Sequence, residues 1–299
     1  MGLIWRALRR WAVAAAVLAA SWSLAAAAYA APALWVMHKG ETTIYLFGTM
    51  HVLKPEEKWH TPLFDQAYAR ASTLWFETDM DVAPATMQGL ILKYGIDPQR
   101  TLSQKLTPET AARVKAALVG TGVDYVNVEH MRPWAVGLML TVLPMVQAGY
   151  RPEAGADAAL TTAAKNGAKQ VRTFETVEEQ IHIFADLSEQ GEIQFLEDVL
   201  DDNAGDGGPN SGGDQMATSW SDGDLVASGS LLVNDMRVDR PELYEAIIKR
   251  RNLAWAIVLD QQMHRKGVFL VNVGALHLIG PDGIPQLMRA RGYKVERIQ

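Results

Sequence analysis

Cysteine is absent from all 299 residues, and that single absence removes several chemistries at once. Disulfides, thiolate nucleophiles and cysteine-based metal sites are excluded, and so is an acylated lipoprotein anchor. Any metal must be held by His, Asp or Glu. Basic charge is also scarce: 28 Lys and Arg face 34 Asp and Glu, for a formal net charge of −6. An acidic chain with no basic stripe is not expected to bind nucleic acid. The helix-borne zinc signature His-Glu-x-x-His is missing too, so no short motif by itself marks a metalloprotease. After the first thirty residues, no apolar run is long enough to span a bilayer.

What is present begins with a leader. Arg6, Arg9 and Arg10 precede an alanine-rich apolar run from Trp11 to about Ala26, and Ala28-Tyr29-Ala30 forms a small-residue cleavage signal before Ala31-Pro32. This pattern reads as a secretory signal peptide over residues 1–30, cut after Ala30. The expected location is periplasmic or secreted, with membrane contact only through an uncleaved leader. Removing the three arginines takes the net charge from −6 to −9. Hydrophobic residues make up 48% of the chain, enough for one substantial core, so residues 31–299 are expected to form a single α/β domain.

Two stretches organise that domain. Ile44 to Phe47 is a strand-like run that stops at Gly48, and His51 follows three residues later. Val268 to Val273 repeats the design, running into Gly274-Ala275-Leu276-His277. β-Branched and aromatic residues favour a pleated strand, and glycine permits a sharp exit from it. Each histidine would then stand just past a strand end, where α/β sheets place their ligand crevice. Ser72 to Phe76 reads as a buried strand that delivers Glu77, with Asp79 two residues on and on the same face of an extended backbone. Strands 43–48 and 268–273 are expected to be neighbours in one sheet, with His51, His277 and Glu77 at the same edge.

The remaining pattern is mixed. Leu34–Met37 and Thr43–Phe47 flank a turn and read as a hairpin. The middle of the chain is largely helical, with Pro144 expected to kink the helix after Arg132-Pro133-Trp134. Lys169 to Phe174 reads as a strand, followed by a Thr176-x-x-Glu179 capping box. Residues 201–214, rich in Asp, Asn and Gly, read as a flexible loop. Pro241 to Lys266 reads as one long helix carrying Arg251-Asn252, and the end of the chain as strand, helix, strand in a crossover unit. The fold class is therefore α/β (α+β): a mixed central sheet flanked by helices.

With these residues in place, the chain resembles the TraB/GumN family, which is related to the TIKI proteins and to a superfamily with erythromycin esterases and haem-binding ChaN proteins. The resemblance spans about residues 33–299. It rests on Gly48-Thr49-Met50-His51, Glu77 with Asp79, Gly155-x-Asp157, and Phe174-Glu175-Thr176 with Gln180. It continues through Trp220 with Gly223-Asp224, Arg251-Asn252, and Gly274 to Leu278 with Gly280 and Gly283. Two positions depart from the family pattern. Leu276 replaces a common second glycine and could narrow the space beside His277, and Arg250 replaces an acidic residue before Arg-Asn. The TIKI branch implies a metal-dependent protease using the paired Gly-x-x-His histidines and an acidic residue.

Two histidines and a carboxylate are a ligand set for a catalytic divalent ion, so Mn²⁺, Co²⁺ or Zn²⁺ at His51, His277 and Glu77 is the cofactor expectation. Such an ion would lower the pKa of a bound water and polarise a carbonyl. Glu77 or Asp79 could ligate or act as general base. Arg251 could bind a substrate carboxylate, or could equally be a structural ion pair to Glu77. Gly48, Gly274 and Asn252 complete the candidate site. The expected function is a metal-dependent hydrolase, possibly a peptidase, acting on a peptide or small molecule. The alternative is a non-catalytic envelope protein that sequesters a peptide, metal or haem. One geometric condition separates a shared site from coincidence: histidines more than about 10 Å apart cannot serve one ion.

Overall fold

A computed structural model describes residues 31–204 and 211–299; the leader lies outside them. β1 (Leu34–Lys39) and β2 (Thr42–Thr49) form the expected antiparallel hairpin, its turn made at Gly40, whose φ of 56° suits glycine. Helix α1 (Pro62–Arg70) begins at Thr61, whose side chain accepts from the Phe64 N–H, and leads to β3 (Thr73–Phe76). A helical region follows: α2 (Pro84–Gly95), α3 (Pro108–Leu118), α4 (Pro133–Gln147) and α5 (Ala156–Asn166). Next come β4 (Gln170–Thr173), α6 (Val177–Ala185), α7 (Glu189–Ala204), α8 (Ser211–Ser221) and α9 (Leu225–Asp239). The chain closes with α10 (Arg250–Gln262), β5 (Gly267–Gly274), α11 (Ile284–Ala290) and β6 (Val295–Arg297).

The six strands form one mixed sheet in the order β4-β3-β5-β2-β1-β6. β2, β5, β3 and β4 run parallel, and β1 opposes both β2 and β6. β2 and β5 pair along their whole length, from Thr42 opposite Gly267 to Thr49 opposite Gly274. The two Gly-x-x-His turns therefore leave adjacent strands at one sheet edge. β6 points the same way as β5, so the last unit is a crossover, but it passes over β2 and β1 to pair at the far side.

Both sheet faces are covered, as a largely parallel sheet requires. Tyr45, Phe47, Leu74, Phe76 and Leu270 face α1, α5 and α8 through Phe64, Ala67, Leu160, Ala164 and Trp220. Ile44, Leu46, Trp75, Val271 and Val273 face α10 and α11 through Trp255, Leu259, Ile284 and Met288. The helical middle builds its own core, in which α3, α4 and α7 share Val114, Val136, Leu140 and Leu196. Among the described residues no helix is long and apolar enough to cross a membrane.

Two local expectations change. Residues 201–204 finish α7 and residues 211–214 open α8, so the polar composition does not prevent helix where the flanking turns propagate; 205–210 lie outside the described residues. The long helix runs from Pro241 to Gln262 but is not uniform: Pro241–Tyr244 is α-helical, Glu245–Lys249 is a π-helical turn, and the α-helical α10 follows from Arg250. A π turn adds an extra residue to the helix and often marks a functional position, and here it ends two residues before Arg251. α4 continues through buried Pro144 to Gln147.

Phe47 is fully buried and its ring lies 4.4 Å from Phe64, 5.7 Å from Trp59 and 6.4 Å from Trp220. Phe47→Ala removes the centre of that cluster and is expected to cost about 3–5 kcal/mol. Urea unfolding should show a lower midpoint with an unchanged slope.

Candidate functional site

The site sits at the edge where β2, β3, β4 and β5 end. His51 follows β2, Glu77 follows β3, Glu175 follows β4 and His277 lies in the short 3-10 turn Ala275–Leu278 after β5. Beyond the named strands, the Glu175 N–H donates to Glu77 O at 2.8 Å, so the β3–β4 ladder carries the two carboxylates side by side. Helix α5 supplies Asp157 from one face of the sheet, and α10 supplies Arg251 and Asn252 from the other.

Glu77 is the hub. His51 Nε2 lies 3.8 Å and His277 Nε2 3.7 Å from the same Glu77 Oε1. Both imidazoles are thus within reach of one carboxylate oxygen, well inside the limit for a shared site. That oxygen accepts from the Gly274 N–H at 2.6 Å. Oε2 accepts from Arg251 Nη2 at 2.6 Å and Gln180 Nε2 at 3.2 Å. Burial would push the Glu77 carboxyl up, but the histidines, the Arg251 guanidinium and the Gly274 N–H together hold it well below the usual carboxylate range.

The glycines make this approach possible. A Cβ on Gly274 would lie 3.1 Å from Glu77 Oε1, 3.2 Å from His51 Nε2 and 3.6 Å from His277 Cδ2. The bare Cα therefore faces the convergence point, and neither Met50 nor Leu276 is among the three atoms nearest to it. Leu276 packs both against the sheet core and against Val233, Tyr244 and Ile248. A Cβ on Gly48 would lie 3.1 Å from Ala275, so Gly48 lets the second turn close over the first.

The two histidines are held in opposite states. His51 Nδ1 is 2.8 Å from Asp157 Oδ2, and Asp157 Oδ1 accepts from Thr49 Oγ1 at 2.6 Å. Asp157 is buried in the first turn of α5, where the helix dipole favours an anion. A Cβ on Gly155 would fall 2.1 Å from His51 O, so only glycine lets this helix start dock against the His51 backbone. The His51 side chain keeps 54% of its surface exposed. The Asp157 charge raises its pKa to about 9.

His277 is 4% exposed and engaged at both nitrogens. Arg251 Nη1 can only donate, so His277 Nε2 accepts from it at 2.9 Å. Nδ1 then carries the proton and donates to Asn252 Oδ1 at 2.7 Å. Asn252 Nδ2 donates to His277 O and Asp282 O, which fixes the orientation of the amide. Burial, helped by the Arg251 charge, lowers the His277 pKa to about 3.

The divalent-ion expectation can be tested on these donors. Both His277 nitrogens are committed, Glu77 already accepts three hydrogen bonds, and a guanidinium contacts the would-be ligand nitrogen. Among the described residues no group of three His, Asp or Glu side chains is arranged to hold a metal ion. The donor set in this arrangement does not fit one.

Arg251 and Asn252 join the site as positioning groups. Asp79 does not join it: β3 ends at Phe76, the chain bends, and exposed Asp79 accepts from the Asp81 N–H. The sequence reading of the site lacked Asp157, Glu175, Gln180 and Trp255. Glu175 carried a signal, since it stands just past a strand end as Glu77 does. Trp255 donates to Glu175 Oε1 at 3.1 Å and lies 4.6 Å from both the His277 ring and the Arg251 guanidinium.

A family model described as the TraB/PrgY/gumN family matches residues 33–297. The uncharacterized protein YbaP of Escherichia coli (strain K12) is 24% identical over 261 residues, covering 87% of this chain and 93% of that protein. YbaP of Shigella flexneri gives the same identity and coverage. No solved structure matches the chain.

Two pH effects follow. The raised His51 pKa makes its pairing with Asp157 stabilising below an unfolded pKa of about 6.5, a contribution lost as pH rises through about 9. Asp157→Asn is expected to return the His51 pKa towards 6.5, read by NMR titration. The lowered His277 pKa acts in the other direction: its contribution is complete above about pH 6.5 and is lost as pH falls towards 3. His277→Gln should flatten the stability–pH curve in that acid window, measured by urea unfolding at a series of pH values.

Proposed function

The chain belongs to the TraB/PrgY/gumN family, and from that premise we propose an exported hydrolase of peptide or related carbonyl substrates in which His51 activates water. The observation that carries this reading is the Asp157–His51 pair. A buried carboxylate orients an exposed imidazole through Nδ1 and leaves Nε2 beside Glu77, at 3.8 Å from Oε1. That is the base-and-orienter arrangement of acid–base hydrolysis. Neutral His51 takes a proton through Nε2 as the water oxygen bonds to the carbonyl carbon. It returns the proton to the leaving group as the scissile bond breaks. Gln180 Nε2 gives one N–H to Glu77 and has a second to give to the developing oxyanion. Glu77, kept anionic, stabilises the imidazolium formed when His51 takes the proton.

The metal-dependent form of this reaction is not adopted, because the His277 nitrogens are already engaged. One observation favours the alternative of a non-catalytic envelope protein: with a pKa of about 9, His51 is mainly cationic near neutrality and suited to hold an anionic ligand.

Cleavage of a peptide library by the purified protein separates the two. The hydrolase reading expects turnover that rises with pH towards about 9 as His51 deprotonates. It also expects insensitivity to chelator and a loss of about 10²–10⁴ in kcat/KM for His51→Ala. Turnover abolished by chelator would remove the metal-free mechanism, and turnover equal in His51→Ala would remove His51 from it. No turnover on any substrate, with saturable ligand binding, would establish the alternative.

A further inference from the structure

The hydrogen bonds of Arg251 carry an inference that rests on the same residues but not on hydrolysis. A guanidinium has five N–H donors in a fixed fork, and here all five are spent inside the protein. Nε donates to Glu175 Oε1 at 3.0 Å, and Nη2 to Glu175 Oε2 at 3.0 Å and Glu77 Oε2 at 2.6 Å. Nη1 donates to His277 Nε2 at 2.9 Å and to Ile247 O at 3.1 Å, the latter a carbonyl of the π-helical turn. The group is 8% exposed, with the Trp255 ring beside it. Its partners, two carboxylates and an imidazole lone pair, are the groups a divalent ion would recruit.

We propose that Arg251 is the resident cation of this site, standing in the electrostatic place of a metal ion, so that the native protein takes up no divalent ion through His51, Glu77 and His277. An incoming ion would have to pull His277 Nε2 away from Arg251. That would leave a buried guanidinium with an unsatisfied N–H beside a second positive centre, and both changes are unfavourable. The ring cannot present its other nitrogen instead, because Asn252 holds Nδ1–H while its amide is tied to two carbonyls. Arg251 is thus a positioning residue: it sets His277 as an acceptor and keeps Glu77 ionised.

The test is calorimetric titration of the purified protein with ZnCl₂, MnCl₂ and CoCl₂, which reads binding and does not depend on cleavage. Any binding by the wild type is expected to be the same in His277→Ala. Arg251→Met, which removes the cation held between Glu77, Glu175 and His277, is expected to bind at least tenfold more tightly, with the gain lost in Arg251→Met/His277→Ala. A one-equivalent wild-type site weakened tenfold or more by His277→Ala would overturn the proposal, as would a folded Arg251→Met with no gain. If Arg251→Met does not fold, ¹⁵N NMR of His277 in the wild type decides. An Nε2 resonance unmoved by saturating Zn²⁺ upholds the proposal, and a shifted one overturns it.

Discussion

The charge on Arg251 is the constraint on which the rest of the site depends. A buried carboxylate such as Glu77 survives only when paired and hydrogen-bonded, and half-buried Glu175 stands beside it at the end of the neighbouring parallel strand. Without a cation between them, the two like charges would repel at close range. Arg251 meets both, and its remaining Nη1 donors reach Ile247 O and His277 Nε2. The same side chain therefore decides the charge of Glu77 and the tautomer of His277. The π turn Glu245–Lys249 ends two residues before it, where a purely α-helical segment would carry the side chain in a different register.

Topology explains why residues so distant in sequence meet. Four parallel strands finish at one edge, and each delivers a titratable group on the way out: His51, Glu77, Glu175 and His277. Helices on opposite faces then divide the histidines. α5 brings Asp157 to His51 from one side and α10 brings Arg251 and Asn252 to His277 from the other. One imidazole faces an anion and is exposed, while the other faces a cation and is enclosed. Their proton affinities separate for that reason, and pairs of titratable groups pushed apart in this way are a mark of acid–base sites. The symmetry of the two Gly-x-x-His turns is geometric and does not extend to chemistry.

That asymmetry also marks the boundary of what the sequence made legible. The adjacency of β2 and β5 and the arrival of Glu77 at the same edge could be read from apolar runs ending in glycine or a carboxylate, because strand period and chain exit are local properties. The helical middle was equally plain from its caps and prolines. Asp157 was legible as part of the Gly155-x-Asp157 motif but not as a partner of His51, which lies 106 residues away. Glu175 followed the rule that singled out Glu77, yet a carboxylate before a capping box has an ordinary explanation. Asp79 failed for the converse reason, since the two-residue period applies only while the strand lasts and β3 ends at Phe76. The polar stretch around 201–214 misled because composition speaks to burial, whereas residues 201–204 needed only to continue an established helix.

The energetics argue that this cluster is kept for something other than stability. Taking Arg251 and Glu77 out of water costs several kcal/mol per ion, and apolar groups of similar volume in place of buried ion pairs often serve a fold as well. The strands and helices around the cluster already have apolar cores on both sheet faces, so the edge does not need charge to close. What the ions provide is direction: a fully used guanidinium, an amide tied to two carbonyls and a carboxylate gripped by a backbone N–H leave few ways to arrange the site. His51 is the exception. It is bonded through Nδ1, its side chain keeps 54% of its surface exposed, and with the second Gln180 N–H its Nε2 is interaction capacity that this network leaves unspent.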